Sequence, residues 1–245
     1  MRHALIAFLK KLKEFLIIKC HAYNVNLPYI LTVAIALIMV IGGINLFIEL
    51  TDTLTTETLA NYDRMITDYV ISFRTPALTE FFIFVTNVGD LYGYVVVLGL
   101  CIFISRVFFK RWKQVIQVAL VLLLASVSNM ILKRFIDRAR PGIEHLVSVE
   151  TLSYPSGHAM SAMAFYGFVI YLFYRFKMNK ILKYSIMFLL LLLIMSIGVS
   201  RIYLGVHFPS DIAGGFIAGL IWVVFCVLVF DLIEIFRRDP NTESM

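Results

Sequence analysis

The chain alternates long apolar runs with short polar connections, and six of the runs are long enough to cross a membrane. They lie near 28–50, 90–108, 114–133, 157–174, 184–200 and 212–233. A helix rises about 1.5 Å per residue, so a hydrocarbon core of about 30 Å takes about 20 of them. From Ala77 to Phe109 the apolar stretch is too long for one span, and Gly89-Asp90 interrupts it. A short interfacial segment at 76–87, followed by a span starting near Asp90, accounts for that stretch. Two more segments repeat apolar residues at helical spacing without being apolar throughout. In 4–18, Leu5, Phe8, Leu9, Leu12, Phe15 and Leu16 are interleaved with Lys10, Lys11 and Lys13. Such a helix lies on an anionic cytoplasmic surface. In 57–73 the stripe is Leu59, Tyr62, Ile66, Tyr69, Val70 and Phe73, with Asp63 and Asp68 on the same segment. This second helix is expected on the outer surface, either as a connector packed on the bundle or as a guide for a lipid substrate. The pattern predicts an all-α, polytopic membrane protein with six transmembrane helices and short interfacial helices.

Composition agrees with the pattern. Hydrophobic residues make up 60%, mean hydropathy is +0.87 and charged residues are 16%, against about 25% charged in a soluble domain. No Pro/Gly/Ser-rich linker, low-complexity tract or internal repeat divides the sequence. It is expected to comprise a basic amphipathic cytoplasmic segment at 1–26, one six-span domain at 27–235 and a short cytoplasmic tail at 236–245. A cleaved signal peptide is not expected, because the basic region is long and no small-residue cleavage site follows the first span. Cys20, Cys101 and Cys226 are widely spaced and read as three free thiols.

The net charge of +6 raises the question of nucleic acid, and the placement of the cations answers it with membrane topology. Fifteen of the 22 basic residues fall in four segments: the N-terminal region, the loop with Arg106, Lys110, Arg111 and Lys113, the loop with Arg175, Lys177, Lys180 and Lys183, and Arg237-Arg238. Six spans put all four segments on one face, which the positive-inside rule makes cytoplasmic. Arg64, Arg74, Lys133, Arg134, Arg138, Arg140 and Arg201 stand on the opposite face, against the bias.

Three blocks at that opposite face carry chemistry. In the first, Lys133 and Arg140 are two helical turns apart, Pro141 follows, and Arg134 and Arg138 lie between. Its bland reading is a helix end decorated with favourable cations. The second is Pro155-Ser156-Gly157-His158. Pro and Ser are ordinary helix-start residues, yet a helix start also aims unpaired N–H groups at an anion, and capping leaves His158 unexplained. The third runs from Ser200-Arg201 through His207 to Asp211. His and Asp four apart meet across a helical turn, where the carboxylate sets the tautomer and stabilises the imidazolium. Together these residues suit phosphoryl transfer: Lys133, Arg140, Arg201 and the N–H groups near Ser156 and Gly157 for the oxygens, one histidine to attack and the other to protonate. No acidic cluster or zinc spacing accompanies them, so neither metal nor other cofactor is expected.

The blocks resemble the type 2 phosphatidic acid phosphatase superfamily, which is related to the vanadium haloperoxidases and carries KxxxxxxRP, PSGH and SRxxxxxHxxxD. All eleven specified positions match, over 133–211. The resemblance implies that His207 is the nucleophile, that Asp211 orients it, and that His158 protonates the leaving group and later activates water. It implies that Lys133, Arg140, Ser156, Gly157 and Arg201 bind the phosphoryl oxygens. Arg134, Asp137 and Arg138 have no implied role, and Asp137 is expected to pair with a neighbouring Arg. The implied activity is hydrolysis of the terminal phosphate of a membrane lipid, such as undecaprenyl diphosphate, phosphatidylglycerophosphate or phosphatidate, through a phosphohistidine. The implied setting is a bacterial cell membrane with both termini cytoplasmic and the site facing out, and with no nucleic acid and no obligatory protein partner. Six spans argue against the soluble haloperoxidase branch. Paired histidines argue against a transporter, flippase or scaffold. The glucose-6-phosphatase branch, which acts on soluble esters, has more spans.

Overall fold

A computed structural model describes residues 27–104, 112–148 and 152–237, and every regular element in them is helical. In chain order the helices are α1 (Leu27–Thr53), α2 (Glu57–Ile71), α3 (Pro76–Val88), α4 (Leu91–Ile104), α5 (Trp112–Phe135), α6 (Gly157–Arg175), α7 (Lys180–Tyr203) and α8 (Pro209–Arg237). The expected amphipathic helix at 4–18, Cys20, Arg106, Lys110, Arg111 and the tail beyond 237 lie outside the described residues, as does the side chain of Cys101. Cys226 is a buried free thiol.

Six spans were expected; among the described residues length and apolarity select four helices, or five. The four are α1, α5, α7 and α8, and the fifth is the pair formed by α3 and Leu91–Leu100 of α4, bent by 63°. The bend falls at Gly89-Asp90, the dipeptide where the apolar run is interrupted. There the Asp90 carboxylate accepts from Leu91 N at 2.8 Å and starts α4, while Tyr166 Oη donates to Val88 O at 3.0 Å and satisfies the end of α3. The expected span at 157–174 is α6, which falls outside the set. Its 19 residues give about 28 Å of helix, but its surroundings differ from those of the others. It is packed by α5, α7 and α8, and Ala159, Met160, Ala162, Ala164, Phe165 and Phe168 are all fully buried. A helix covered by protein needs no lipid-facing surface. α1 is the opposite case, with Leu31, Ile35 and Ile38 more than half exposed to what must be lipid.

Because lipid is as apolar as the side chains, close packing holds such a bundle. Gly215 and Gly219, four apart on α8, face α6. A Cβ at either would come within 2.7 Å of Ser156 O or 2.6 Å of Met160 O. Their absence of side chain lets α8 press onto the first turns of α6, which brings the third block against the second.

α2 and α3 cover the end of the bundle where the three blocks meet. Each starts with a threonine cap, Thr56 and Thr75, whose hydroxyl accepts from Leu59 N and Leu78 N. α2 is amphipathic as expected, but its faces are reversed relative to a soluble helix. Asp63 and Thr67 are buried, whereas Tyr62, Met65, Ile66 and Tyr69 are 40–67% exposed.

Candidate active site

The last turn of α5, the first turn of α6, the last turn of α7 and the residues before α8 line one cavity of about 480 Å³. Lys133, Arg140, Gly157, His158, Arg201 and His207, far apart in sequence, all face it. The α3–α4 bend adds Thr86, Asn87 and Asp90, none of which the three blocks include; Asp90 stood out in the sequence only as a helix break. Three cations against one carboxylate make the lining positive. Arg201 is 4% exposed and donates from Nη1 to Thr86 Oγ1 at 2.8 Å. Its buried Nε has no hydrogen-bond partner among the described residues.

His207 is placed by a tight helix end. α7 stops at Leu204, Gly205 takes φ +80°, Gly205 N donates to Ile202 O at 2.9 Å and Val206 N to Arg201 O at 3.1 Å. These are the paired bonds of a Schellman motif, which needs a left-handed residue at this point. The same Arg201 carbonyl also accepts from His207 N at 3.3 Å. Gly205→Ala would strain the backbone by about 1–2 kcal/mol and push a Cβ to 2.6 Å from Glu144 O. We expect a lower unfolding temperature together with reduced turnover, read by thermal unfolding in detergent beside phosphate release; unchanged turnover would show that the turn does not position His207.

Asp211 lies behind the imidazole, fully buried. Its Oδ2 is 3.3 Å from His207 Nδ1 and accepts from Ser153 Oγ and from Phe208 N at 2.8 Å. Accepting from Phe208 N is the backward half of a capping box, so Asp211 also starts α8. With Nδ1 toward the carboxylate, Nε2 is the ring nitrogen nearer the cavity, 3.4 Å from Arg140 Nη1. Arg140 Nη1 donates as well to Val206 O at 2.6 Å, the residue before His207. Burial pulls the His207 pKa down to about 4, although the hydrogen bond and charge of Asp211 act the other way. The ring is therefore neutral at physiological pH, the form that can attack.

Two of the anticipated residues do not line the cavity. Asp211 is screened from it by His207. Ser156 is fully buried: its N–H donates to Asp211 O at 3.0 Å and its hydroxyl caps α6 by accepting from Ala159 N. The backbone N–H of Ser156 is thus committed to joining α6 to α8, while Gly157 keeps its place in the lining. Asn129 supports this turn by donating to Pro155 O at 3.1 Å. Lys133 Nζ donates to Leu152 O at 2.8 Å.

Asp137 is exposed and forms no ion pair among the described residues; the expected pairing with a neighbouring Arg is replaced by a different one. Arg138 pairs instead with Asp211 Oδ1 at 2.6 Å and with Asp63 Oδ2 at 2.7 Å. Asp63 is 75 residues away from it, so no local spacing could have revealed the contact. Among the described residues no three His, Cys, Asp or Glu side chains are grouped as a metal site.

Three comparisons bear on this arrangement. The pattern that defines the PAP2 superfamily matches residues 114–234. Phosphatidylglycerophosphatase B of Bacillus subtilis is 32% identical over 192 residues, covering 76% of this chain and 91% of that protein. Among solved structures, a transmembrane PAP2 type phosphatidylglycerolphosphate phosphatase from Bacillus subtilis superposes with a TM-score of 0.72 at 28% identity, over 79% of this chain and 96% of that one. LpxE of Aquifex aeolicus superposes with a TM-score of 0.54 at 27% identity, over 66% and 93%.

Proposed function

The chain belongs to the PAP2 superfamily and is an integral membrane lipid phosphatase, and from that premise we propose that it hydrolyses phosphatidylglycerophosphate through a phosphohistidine on His207. One observation carries the reading: both histidines and three cations share one cavity, and His207 is backed by Asp211. The buried, unpartnered Nε of Arg201 supports it, because a phosphoryl oxygen is the acceptor such a donor calls for. Similarity to the Bacillus subtilis phosphatidylglycerophosphatases supports the substrate.

In the proposed sequence Lys133, Arg140, Arg201 and the Gly157 turn hold the non-bridging oxygens. His207 Nε2 attacks phosphorus and forms an N–P bond as the bond to the lipid oxygen breaks. His158 gives its proton to that oxygen, and the lipid alcohol leaves. His158 then takes a proton from water, the resulting hydroxide attacks phosphorus, and cleavage of the N–P bond frees phosphate and His207. The cations offset the negative charge on the equatorial oxygens, and Asp211 offsets the positive charge on the ring. No step draws on a metal. The distribution of Lys and Arg supports a site on the non-cytoplasmic face of a bacterial membrane, with both termini cytoplasmic.

Three cations also suit a diphosphate end group, so the test is a panel. Purified protein is offered phosphatidylglycerophosphate, phosphatidate, undecaprenyl diphosphate and glucose 6-phosphate, with EDTA present throughout. Fastest release from phosphatidylglycerophosphate is expected, with inhibition by vanadate, whose trigonal bipyramid resembles the transition state. Preference for the diphosphate would move the substrate assignment, and release from none would favour a transporter or scaffold. Loss of activity in EDTA that metal restores would overturn the metal-free chemistry.

A further inference from the structure

We propose that Asp63, on the helix that covers the site, is a positioning residue for His207 and acts through Arg138 on Asp211. The proposal rests on His207 being the group that attacks.

The carboxylate of Asp63 is 2% exposed and both of its oxygens are used. Oδ1 accepts from Ser210 N at 2.9 Å, and Oδ2 from Ser210 Oγ at 2.5 Å and from Arg138 Nη2 at 2.7 Å. The other arm of the guanidinium, Nη1, donates to Ser210 Oγ at 2.7 Å and to Asp211 Oδ1 at 2.6 Å. Arg138 also lies 4.7 Å from the centre of the Phe208 ring, beside His207. One guanidinium thus spans two buried carboxylates from helices far apart in the chain, Asp63 on α2 and Asp211 on α8.

The division of labour on Asp211 follows from this. Arg138 occupies Oδ1, which leaves Oδ2 for His207 Nδ1, Ser153 and Phe208 N. A planar, forked cation held at both ends is fixed in direction, so Asp211 is fixed too. Charge matters as much as direction. Arg138 paired with Asp211 alone would cancel the carboxylate that the imidazole needs when the N–P bond makes the ring positive. With Asp63 the trio carries a net charge of −1, and His207 receives it.

A simple tether between α2 and α8 would not need a second buried carboxylate, because a neutral amide could accept from Ser210 N without the desolvation cost of a charge. Tyr62, Met65, Ile66 and Tyr69 of α2 point outward, while Val70 packs on the core beneath. The inward face around Asp63 therefore serves the nucleophile.

The experiment measures kcat and KM on phosphatidylglycerophosphate in detergent, per folded enzyme as judged by gel filtration and thermal unfolding. The variants are Asp63→Asn, Asp63→Glu, Arg138→Gln, Arg138→Lys and the Asp63→Asn/Arg138→Gln pair. Asp63→Asn should lower kcat about 10- to 100-fold with KM within about threefold, because the substrate cavity is untouched. Asp63→Glu should restore part of the loss. The pair should be no worse than Arg138→Gln within about threefold, since Asp63 acts through Arg138. Multiplying losses in the pair, a change confined to KM, or kcat within twofold of wild type for Asp63→Asn would each overturn the proposal. Should Asp63→Asn not fold, Arg138→Lys decides, because a lysine keeps the charge and cannot span both carboxylates. Wild-type kcat in Arg138→Lys overturns the proposal. Wild-type protein inactive on every lipid phosphate would sink the functional reading, and an active His207→Ala variant the nucleophile assignment. Both holding while Asp63→Asn turns over normally sinks this inference alone.

Discussion

Replacing His207 with alanine should lower kcat/KM for phosphatidylglycerophosphate by at least about 10⁴-fold, since no neighbouring group can take over the attack. His158 shares the cavity, but among the described residues no carboxylate is paired with its ring as Asp211 is with His207. The fold should survive: the imidazole is 2% exposed, yet the turn that carries it is held by backbone bonds to Arg201 O and by Gly205. Acid-labile, alkali-stable phosphate on the wild-type protein, absent from the variant, would report the intermediate directly. The pH behaviour is a second readout. A histidine lowered to about 4 keeps its neutral form as pH falls from 7 to 5 and gains its proton only near 4. Ring resonances of histidine-labelled protein should therefore include one that stays neutral at pH 5 and is missing from His207→Ala. A His207 resonance that titrates near the ordinary 6.5 would show that burial does not govern the ring. Label that persists in the variant would move the attack elsewhere.

Asp211→Asn should reduce kcat about 10³- to 10⁴-fold and leave KM within a few-fold. Removing the carboxylate behind a catalytic histidine releases the wrong tautomer and leaves the imidazolium without its counter-charge. Asp211 does not line the cavity, so binding of the lipid phosphate should persist. Stability should fall only moderately. An asparagine oxygen can still accept from Phe208 N, and Arg138 keeps its pair with Asp63. Kinetics of the purified variant decide the matter. A loss carried by KM would mean that Asp211 contributes to binding, and activity within tenfold of wild type would remove it from the mechanism.

The helices, the interruption at Gly89-Asp90 and the three chemical blocks were legible along the chain, because periodicity, caps and motif spacing are local properties. Spacing brought His207 to Asp211 without any tertiary information, since four residues make one helical turn. The same reasoning went wrong about Asp137, which is adjacent to Arg138 in sequence but turned to solvent. In the sequence Asp63 is one of two aspartates on an amphipathic helix expected on the outer surface, with no role attached to it. It is buried because α2 lies with its polar face down on the start of α8, in contact with Ser210, a choice that no hydrophobic stripe encodes when lipid can cover the apolar side. Thr86, Asn87 and Asp90 joined the cavity only through the 63° bend between α3 and α4.

The sequence alone determined an all-helical membrane protein, the lipid phosphatase family and the residues of its three blocks. A 3.6-residue period, the energetic need to cover apolar surface and fixed motif spacing all act over a few turns. Only the tertiary structure decided that Ser156 ties helices together, that Nε2 is the His207 nitrogen nearer the cavity, and that Arg138 and Asp63 stand behind Asp211. Those facts depend on contacts between residues as much as 147 apart, set by which helices the glycines of α8 allow to approach and by which face of α2 the bundle accepts.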